Sequence, residues 1–591
     1  MFKNVKAICG KLQRNVPLTH NNVTISDNKA KANILGEVFE NNHKLTQDLG
    51  DPGFTLETMT DIRQDFDNFD EPVTVLNINN TANVDSDNNE HGFITAESVK
   101  SLAKTRNPKK SPGVDKINNA AILNFTGVFF VKLALIFNHA YNVGCFPKVW
   151  RHAIVCPIPK PGKPTHSANS YRPISLLPSI SKMYERYIST KLDRYTKDNG
   201  IIPNFQFGFR NKHCAVQALN VFQNDILVNH RVSTPTVAVS LDIEKAFDTT
   251  WFEGLVLKLR SYGYPRILCS IAYQFLKNRT FQVRVFNEIS ETFVVSAGVP
   301  QGSVLGPKLF NIYTSDIPAP PERHNIKRLS YADDLLIYTH NRIASAASSR
   351  LNSYLVTLDE YYTKWKIKIN AGKTVSIALA MNHPKKYPEG LNLQFGNVRI
   401  PLQPSMRYLG VHFTPQMNFV KHVSITLQKV IGQTKYLHNA LRHSNLLIPR
   451  VKILCYKQLL RPITAYAFPI FSCISSCQME RLRAQERKIL RKCINYKRRP
   501  DGKHYPVAFI YNEANIPRLD DFLMSIAHKY LDRIRNTDNP LVRSSCLLDP
   551  QLVDRLLIKP VQYLENFRDI DEETLPLYNR SSRDPTHRVY L

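Results

Sequence analysis

The feature that most constrains this chain is a pair of adjacent aspartates inside an apolar segment. Asp333 and Asp334 stand between two apolar arms over residues 328–338, a pattern that predicts a hairpin. Neighbouring carboxylates repel each other, and desolvation penalises both unless a cation neutralises them. A solvated turn holding two acids is the ordinary alternative, since such turns are common.

A third acid lies at the end of another apolar segment. Residues 237–243 predict a buried strand, and strand alternation puts Asp242 on the face opposite Val239 and Leu241. If this strand pairs with the hairpin, the carboxylates converge and could hold two Mg²⁺ ions roughly 3.5–4 Å apart. Such ions can activate a 3′-hydroxyl group and stabilise a leaving pyrophosphate. The pattern therefore favours nucleotidyl transfer over the solvated-turn alternative.

The charge balance points to a polyanionic partner. Lys and Arg number 78 against 49 Asp and Glu, which gives a net charge of +29. Nucleic acid is the first partner to expect and an anionic membrane surface the second, while the plain alternative is a solubilising charge excess. The sequence has no secretory signal and no apolar run of the roughly 18–20 residues that a membrane span needs. We therefore expect an intracellular protein, in cytoplasm and nucleus, with no membrane partner.

A loop rich in glycine and proline over residues 297–307 opens onto a predicted helix over residues 309–313. With this loop, the chain resembles the reverse transcriptases of non-LTR (LINE-type) retrotransposons, and the jockey-like group in particular. Those enzymes carry motifs in a fixed order, preceded by an extra N-terminal one that residues 110–115 match. The counterparts in this chain are residues 171–176, 205–210, 241–248, 298–307, 331–334, 365–374 and 408–410.

The resemblance implies a set of metal ligands and a proton donor. The ligands would be Asp242, Asp333 and Asp334, with the backbone carbonyl of Ile243 as an additional one. Lys373 would be the general acid for the pyrophosphate leaving group, although a lysine after a glycine is as often a plain loop cation. The implied cofactor is a pair of Mg²⁺ ions, with Mn²⁺ as the alternative.

The resemblance also implies how the incoming nucleotide is held. Phe247 falls where the family has its steric gate against a ribose 2′-hydroxyl, the alternative being a plain core aromatic. Lys160 and Arg172 would grip the triphosphate, with Lys163 as a competitor of Lys160. Two residues would line the nucleotide pocket: Gln301 and Gly302.

Contacts to the nucleic acid are implied for two further segments. Residues 408–410 would form the primer grip. The basic helical segment from Arg481 to Lys492 would contact backbone phosphates, its alternative being a solvated face.

The fold implied is α+β, a right-hand polymerase with fingers, an antiparallel palm sheet and a helical thumb. Residues 61–90 are rich in Asp and Asn and predict an acidic, poorly ordered spacer, so compact structure is expected to begin at Thr95. The residues before Thr95 are too few for the endonuclease domain of full-length elements. The expected divisions are a partly disordered connector over 1–94, fingers and the start of the palm over 95–235, palm over 236–415, thumb over 416–500, and a C-terminal helical region and tail over 501–591.

The function implied is that of an RNA-directed DNA polymerase of a mobile element. Its partners would be an RNA template, a DNA primer and deoxynucleoside triphosphates, together with the element RNA and target DNA. One alternative is a decayed or domesticated protein that binds RNA without catalysis. A second alternative is an RNA-dependent RNA polymerase. Phe247 and the loop at residues 300–302 argue against it.

Overall fold

The computed structural model describes residues 16–20, 23–45, 49–67, 93–231, 234–380, 391–442 and 447–545. Expectations for residues 68–92 and for the tail after residue 545 lie outside this part of the chain. The described part contains no helix that is long and apolar enough to cross a membrane.

The central sheet is antiparallel throughout, with four strands in the order β10-β5-β9-β8. Strand β5 is apolar on both faces because each face is covered: Val239 and Leu241 enter one core, and Ala238 enters another. Strands β8 and β9 form the hairpin expected around the paired aspartates. The strands are β5 (Thr236–Asp242), β8 (Ile326–Tyr331), β9 (Asp334–His340) and β10 (Val375–Leu379).

A second four-stranded sheet has the order β4-β3-β6-β7. Strands β3 and β6 run parallel, and the other neighbours run antiparallel. Strands β6 and β7 form a hairpin. The strands are β3 (His152–Pro159), β4 (Tyr171–Leu176), β6 (Arg279–Val285) and β7 (Glu288–Val295).

Short hairpins complete the described strands. One lies near the N-terminus and two follow the central sheet, each pairing antiparallel. They are β1 (Leu18–His20) with β2 (Val23–Ile25), β11 (Gln394–Phe395) with β12 (Val398–Arg399), and β13 (Met406–Tyr408) with β14 (Val411–Phe413).

Helices of the first two thirds of the chain surround the sheets. Thr95 caps the helix that follows it, since its hydroxyl accepts a hydrogen bond from the Ser98 N–H at 3.2 Å. The helices are α1 (Asn28–Asn42), α2 (Pro52–Phe66), α3 (Ala96–Lys104), α4 (Asn119–Leu123), α5 (Gly127–Asn142), α6 (Ser179–Asp198), α7 (Ala215–Arg231), α8 (Phe252–Ser261), α9 (Arg266–Leu276), α10 (Gly306–Tyr313) and α11 (Ala344–Lys364).

After residue 419 the described chain is helical, as its spacing of apolar residues predicts. One core joins Val430, Ile489 and Ile510, so the packing of this region continues past residue 500. The helices are α12 (Val420–Tyr436), α13 (His438–Leu441), α14 (Pro449–Cys455), a π-helix (Tyr456–Leu460), α15 (Arg461–Ala465), α16 (Phe468–Phe471), α17 (Ser476–Cys493), α18 (Val507–Ala514), α19 (Leu519–Arg535) and α20 (Pro540–Ser544).

The expectation that compact structure begins at Thr95 is wrong. Helix α2 includes the first residues of the expected acidic spacer and buries Ile62 and Phe66 in the main core. Two acids of the expected spacer are paired: Asp61 lies 2.7 Å from Arg260, and Asp67, directly after the helix, lies 2.5 Å from Lys277. Because cations of α8 and of the turn after α9 neutralise these carboxylates, an acidic composition did not prevent folding.

Candidate active site

The strand register brings the predicted acids together at one end of the central sheet. Asp242 at the end of β5 stands directly opposite Asp334 at the start of β9. Asp333 lies in the two-residue turn between β8 and β9, beside Ala332, whose φ of 59° is left-handed. One antiparallel pairing thus carries two of the acids, and the adjacent turn carries the third.

The electrostatics of these acids are unfavourable in the absence of a cation. Burial raises the pKa of Asp334 to about 6, and repulsion from Asp333 and Asp242 contributes. Burial likewise raises the pKa of Asp333, with Asp242 adding to the effect. Hard carboxylate oxygens under mutual repulsion suit a divalent cation such as Mg²⁺. The residues therefore fit a metal by their chemistry.

A lysine contacts one of the acids in this structure. The Lys373 ammonium lies 2.9 Å from Oδ2 of Asp242, and the Asn370 N–H donates to the Asp242 carbonyl at 2.7 Å. Within the described ranges, no group of three or more His, Cys, Asp or Glu side chains has the arrangement of a metal site. Thus the sheet brings the acids into proximity, and Lys373 supplies positive charge to Asp242.

We expect Asp334→Asn to stabilise the metal-free protein in a pH-dependent way. The folded-state pKa near 6 exceeds the ordinary value of 3.8, so the folded wild type binds more protons between these pH values. Wild-type stability therefore falls as pH rises through this window, whereas the amide does not titrate. Above pH 6 the free energy of unfolding of Asp334→Asn should exceed that of the wild type by about 1–3 kcal/mol.

Denaturant unfolding in EDTA from pH 4 to pH 8 measures this difference. Asp501→Asn is the matched control, since its side chain is 44% exposed and lies outside the candidate site. If the free energies of unfolding of Asp334→Asn and wild type differed by the same amount from pH 4 to pH 8, this would contradict the electrostatic account.

Two loops beside the acids hold Phe247 and Gln301 together. The Gln301 amide donates to Oδ1 of the buried Asp248 at 2.7 Å, and the Val299 N–H donates to the Phe247 carbonyl at 2.6 Å. A Cβ added to Gly298 would lie 2.4 Å from the Asp248 carbonyl oxygen, so only glycine allows this approach. The Phe247 ring packs 4.9 Å from that of Phe310. The expected steric gate Phe247 and the expected pocket residue Gln301 therefore lie in two loops that are hydrogen-bonded to each other.

The predicted triphosphate-binding cations lie close to these loops. Lys160 follows β3, and Arg172 is in the paired strand β4, opposite Ile158. Burial lowers the pKa of Lys160, opposed by Asp248, and the nearby Arg172 and Lys373 lower it further. The Lys160 ammonium donates to the Asn169 carbonyl at 2.9 Å. The competitor Lys163 is exposed in the turn that follows.

The Gly302 backbone also touches this strand. Its φ is 113°, and an added Cβ would lie 2.8 Å from the Ser175 carbonyl oxygen. The Ser175 N–H donates to the Gln301 carbonyl at 2.8 Å. Strand β4 is thereby fastened to the loop of Gln301 and Gly302.

Sequence reasoning assigned no role to two residues that support the acidic turn. Oε1 of the buried Gln206 accepts from the Ala332 N–H at 2.9 Å and from the Gly208 N–H at 2.8 Å. A Cβ added to Gly208 would lie 2.2 Å from the Ala332 nitrogen. The signal for Gly208 was its position between two phenylalanines in the segment 205–210, whereas Gln206 had no signal of its own.

The turn expected to form the primer grip joins β13 and β14. Leu409 and Gly410 both have left-handed backbone, with φ of 42° and 83°. The Tyr466 hydroxyl donates to the Leu409 carbonyl at 2.7 Å, which ties this turn to the helical region. Tyr466 is a contact that sequence reasoning missed.

The basic helical segment is confirmed as part of α17, and four of its cations divide into two groups. Arg483 makes a bidentate pair with Asp520, with contacts from 2.8 to 3.0 Å, and Arg487 pairs with Glu480. Lys488 and Lys492 instead line a groove between α12 and α17. The groove also contains Lys435, His438 and Gln485.

Comparison with known proteins identifies relatives of this chain. Residues 158–413 match the family described as "Reverse transcriptase (RNA-dependent DNA polymerase)". The chain is 32% identical over 458 residues to the RNA-directed DNA polymerase from mobile element jockey of Drosophila melanogaster, covering 76% of this chain and 49% of that protein. It is 30% identical to the probable RNA-directed DNA polymerase from transposon BS of the same organism, with the same coverage. The chain thus spans about half the length of the curated relatives it matches.

Among solved structures, apo telomerase from Candida Tropicalis covers 71% of this chain and 74% of its own chain. Its identity is 10% and its TM-score is 0.34.

Proposed function

We propose that this chain is a reverse transcriptase of the jockey-like non-LTR retrotransposon group and that it copies RNA into DNA by two-metal nucleotidyl transfer. The observation that carries the proposal is the register that sets Asp242 opposite Asp334, with Asp333 in the adjoining turn. Reverse transcriptases in general use divalent metal ions. For this chain the proposed pair is Mg²⁺, with Mn²⁺ as the alternative.

The proposed ligands are the carboxylates of Asp242, Asp333 and Asp334, with the carbonyl of Ile243. When bound, the ions supply Lewis-acid activation of the primer hydroxyl and charge neutralisation at the leaving pyrophosphate. Lys373 is proposed to protonate that leaving group. Its ammonium already lies at the Asp242 carboxylate, which supports a position beside the reacting phosphates.

The nucleotide is proposed to bind where the cations meet the acids. Lys160 and Arg172 would neutralise the triphosphate, because a cation hydrogen-bonded at the end of β3 and another on the paired strand β4 need little ordering when it binds. Gln301 and Gly302 would contact the nucleotide from the loop that β4 holds. The proposed partners are therefore deoxynucleoside triphosphates, an RNA template and a DNA primer, with element RNA and target DNA in the cell.

A right-hand arrangement is part of the proposal. The central sheet would form the palm over residues 236–415, after fingers and the start of the palm over 95–235. The thumb would begin at residue 416, with α17 presenting Lys488 and Lys492 to backbone phosphates. Because Val430 and Ile510 share a core, α18 would belong with this thumb rather than with a separate region after residue 500.

Phe247→Val should increase ribonucleotide incorporation. We assign the Phe247 ring, held against Phe310, as the barrier to a ribose 2′-hydroxyl. A smaller side chain removes the clash, and the ratio of ribonucleotide to deoxynucleotide incorporation should rise about tenfold or more. Single-nucleotide extension with each substrate measures this ratio.

Phe125→Val is the control for that measurement, since this ring is 38% exposed and precedes α5. An unchanged ratio in Phe247→Val would remove the gate assignment while leaving the polymerase proposal in place.

The proposed activity itself is tested by incorporation of labelled deoxynucleotide on a primed RNA template. We expect RNA-templated products from the wild-type chain. Stable binding of the primed template without incorporation would instead support an RNA-binding protein that lacks catalysis.

A further inference from the structure

Helix α1, in the segment expected to be a connector, packs along the outer strand of the second sheet. Strand β7 is at the edge of that sheet. The Asn33 amide oxygen accepts from the Glu291 N–H at 3.0 Å, and Glu40 accepts from the Val294 N–H at 2.9 Å. A Cβ added to Gly36 would lie 1.9 Å from the Phe293 ring, so helix and strand are in close contact. This packing fixes where the chain leaves the helix.

His43 caps the C-terminal end of α1 and is 7% exposed. Its Nδ1 lies 2.9 Å from the Ala297 carbonyl oxygen and 3.2 Å from the Asp248 carbonyl oxygen. Carbonyl oxygens only accept hydrogen bonds, so Nδ1 carries the hydrogen and donates to both. One N–H thus joins two loops that are far apart in sequence.

These two loops hold the proposed nucleotide pocket. Phe247 directly precedes Asp248, whose carboxylate accepts from Gln301 at 2.7 Å. The Gly298 N–H, directly after Ala297, donates to the Thr250 carbonyl at 2.8 Å. Without the His43 hydrogen, two carbonyl dipoles would point at a common position with no donor between them, which favours separation of the loops.

We propose that His43 is a positioning residue for nucleotide selection. It holds the Asp248 and Ala297 carbonyls together and thereby fixes the distance between the Phe247 ring and the Gln301 loop. The inference rests on the proposed function, because it assumes that this pocket receives the nucleotide. In this role His43 acts through the backbone of the two loops rather than by contact with the nucleotide.

Two substitutions distinguish the effect of the hydrogen-bond donor from that of side-chain volume: His43→Leu and His43→Asn. Leucine fills similar space without a donor, whereas the asparagine amide can place an N–H close to the position of Nδ1. We expect His43→Leu to weaken deoxynucleotide binding about tenfold and to reduce the preference over the matching ribonucleotide severalfold. His43→Asn should restore most of both.

The measurement is equilibrium binding of a fluorescent deoxynucleotide and its ribonucleotide counterpart to the full chain on RNA template with a dideoxy-terminated primer. Because the terminated primer cannot form a bond to the nucleotide, the ratio of deoxynucleotide to ribonucleotide affinity is independent of catalysis. Failure of wild-type extension on an ordinary primer would therefore count against the polymerase activity alone.

Glu40→Ala is the matched control on the same helix, since it removes the contact to β7 and leaves His43 in place. We expect Glu40→Ala to keep the wild-type ratio of deoxynucleotide to ribonucleotide affinity. Thermal unfolding is recorded for every variant. An unchanged ratio in His43→Leu would overturn the inference. Equal losses of nucleotide affinity in His43→Leu and His43→Asn would also overturn it, and so would equal losses in His43→Leu and Glu40→Ala. Either result would mean that the loss comes from a general structural change and not from the missing hydrogen-bond donor.

Discussion

Asp242→Asn should abolish nucleotide incorporation while leaving the fold intact. The substitution keeps the size of the side chain and removes one of the charges that the proposal assigns to metal binding. A loss of about 4 kcal/mol of transition-state stabilisation corresponds to on the order of a 10³-fold lower rate. Single-turnover extension on a primed RNA template measures the rate.

The thermal stability of Asp242→Asn should remain close to wild type. The ion pair it breaks is partly solvated, with the Lys373 side chain 63% exposed, and such pairs contribute little to stability. Asp501→Asn, outside the site, should retain full activity. A rate within threefold of wild type for Asp242→Asn would contradict the assignment of this acid, since such a loss is worth under about 1 kcal/mol.

Gly208→Ala should impair the site by displacing the turn that carries Asp333. The new Cβ would lie 2.2 Å from the Ala332 nitrogen and 2.9 Å from the Tyr331 carbonyl carbon. These are backbone atoms, so no side-chain rotation relieves the contact, and the segments must move apart. We expect a stability loss of about 1–3 kcal/mol from overpacking. A shift of the turn by about 1 Å would lower the incorporation rate on the order of 10²-fold.

Gly432→Ala is the control for added bulk, because a Cβ at this position in α12 meets nothing within 4 Å. It should leave activity unchanged and stabilise the helix slightly. Thermal unfolding and extension rates of both variants test the prediction. Wild-type activity in Gly208→Ala would show that the turn does not depend on this close contact.

The sequence was sufficient to predict the sheet of the candidate site because its signals are local. The apolar run before Asp242 and the apolar arms around Asp333 and Asp334 indicate strands, but their pairing was only a condition of the prediction and is observed in the structure. The tight turn of residues 297–302 was likewise visible in its glycines and prolines. The order of the motifs then assigned roles that spacing alone could not.

What the sequence did not predict depends on contacts between distant segments. Helix α2 looked like part of an acidic spacer because Arg260 and Lys277, its ion-pair partners, lie some two hundred residues later in the chain. Gln206 and His43 have no local pattern that distinguishes them from any buried polar residue. Their hydrogen bonds to Ala332 and Ala297 exist only once the sheets have packed.

The central claim is that the acids at the end of the central sheet make this chain an RNA-directed DNA polymerase. The most direct test is primer extension on an RNA template with deoxynucleotides and Mg²⁺, comparing the wild-type chain with Asp333→Asn and with an EDTA-treated sample. We expect the untreated wild-type chain to extend the primer, and we expect no extension by Asp333→Asn or by the EDTA-treated sample. Equal extension by wild type and Asp333→Asn, or equal absence of it from both, would contradict the account.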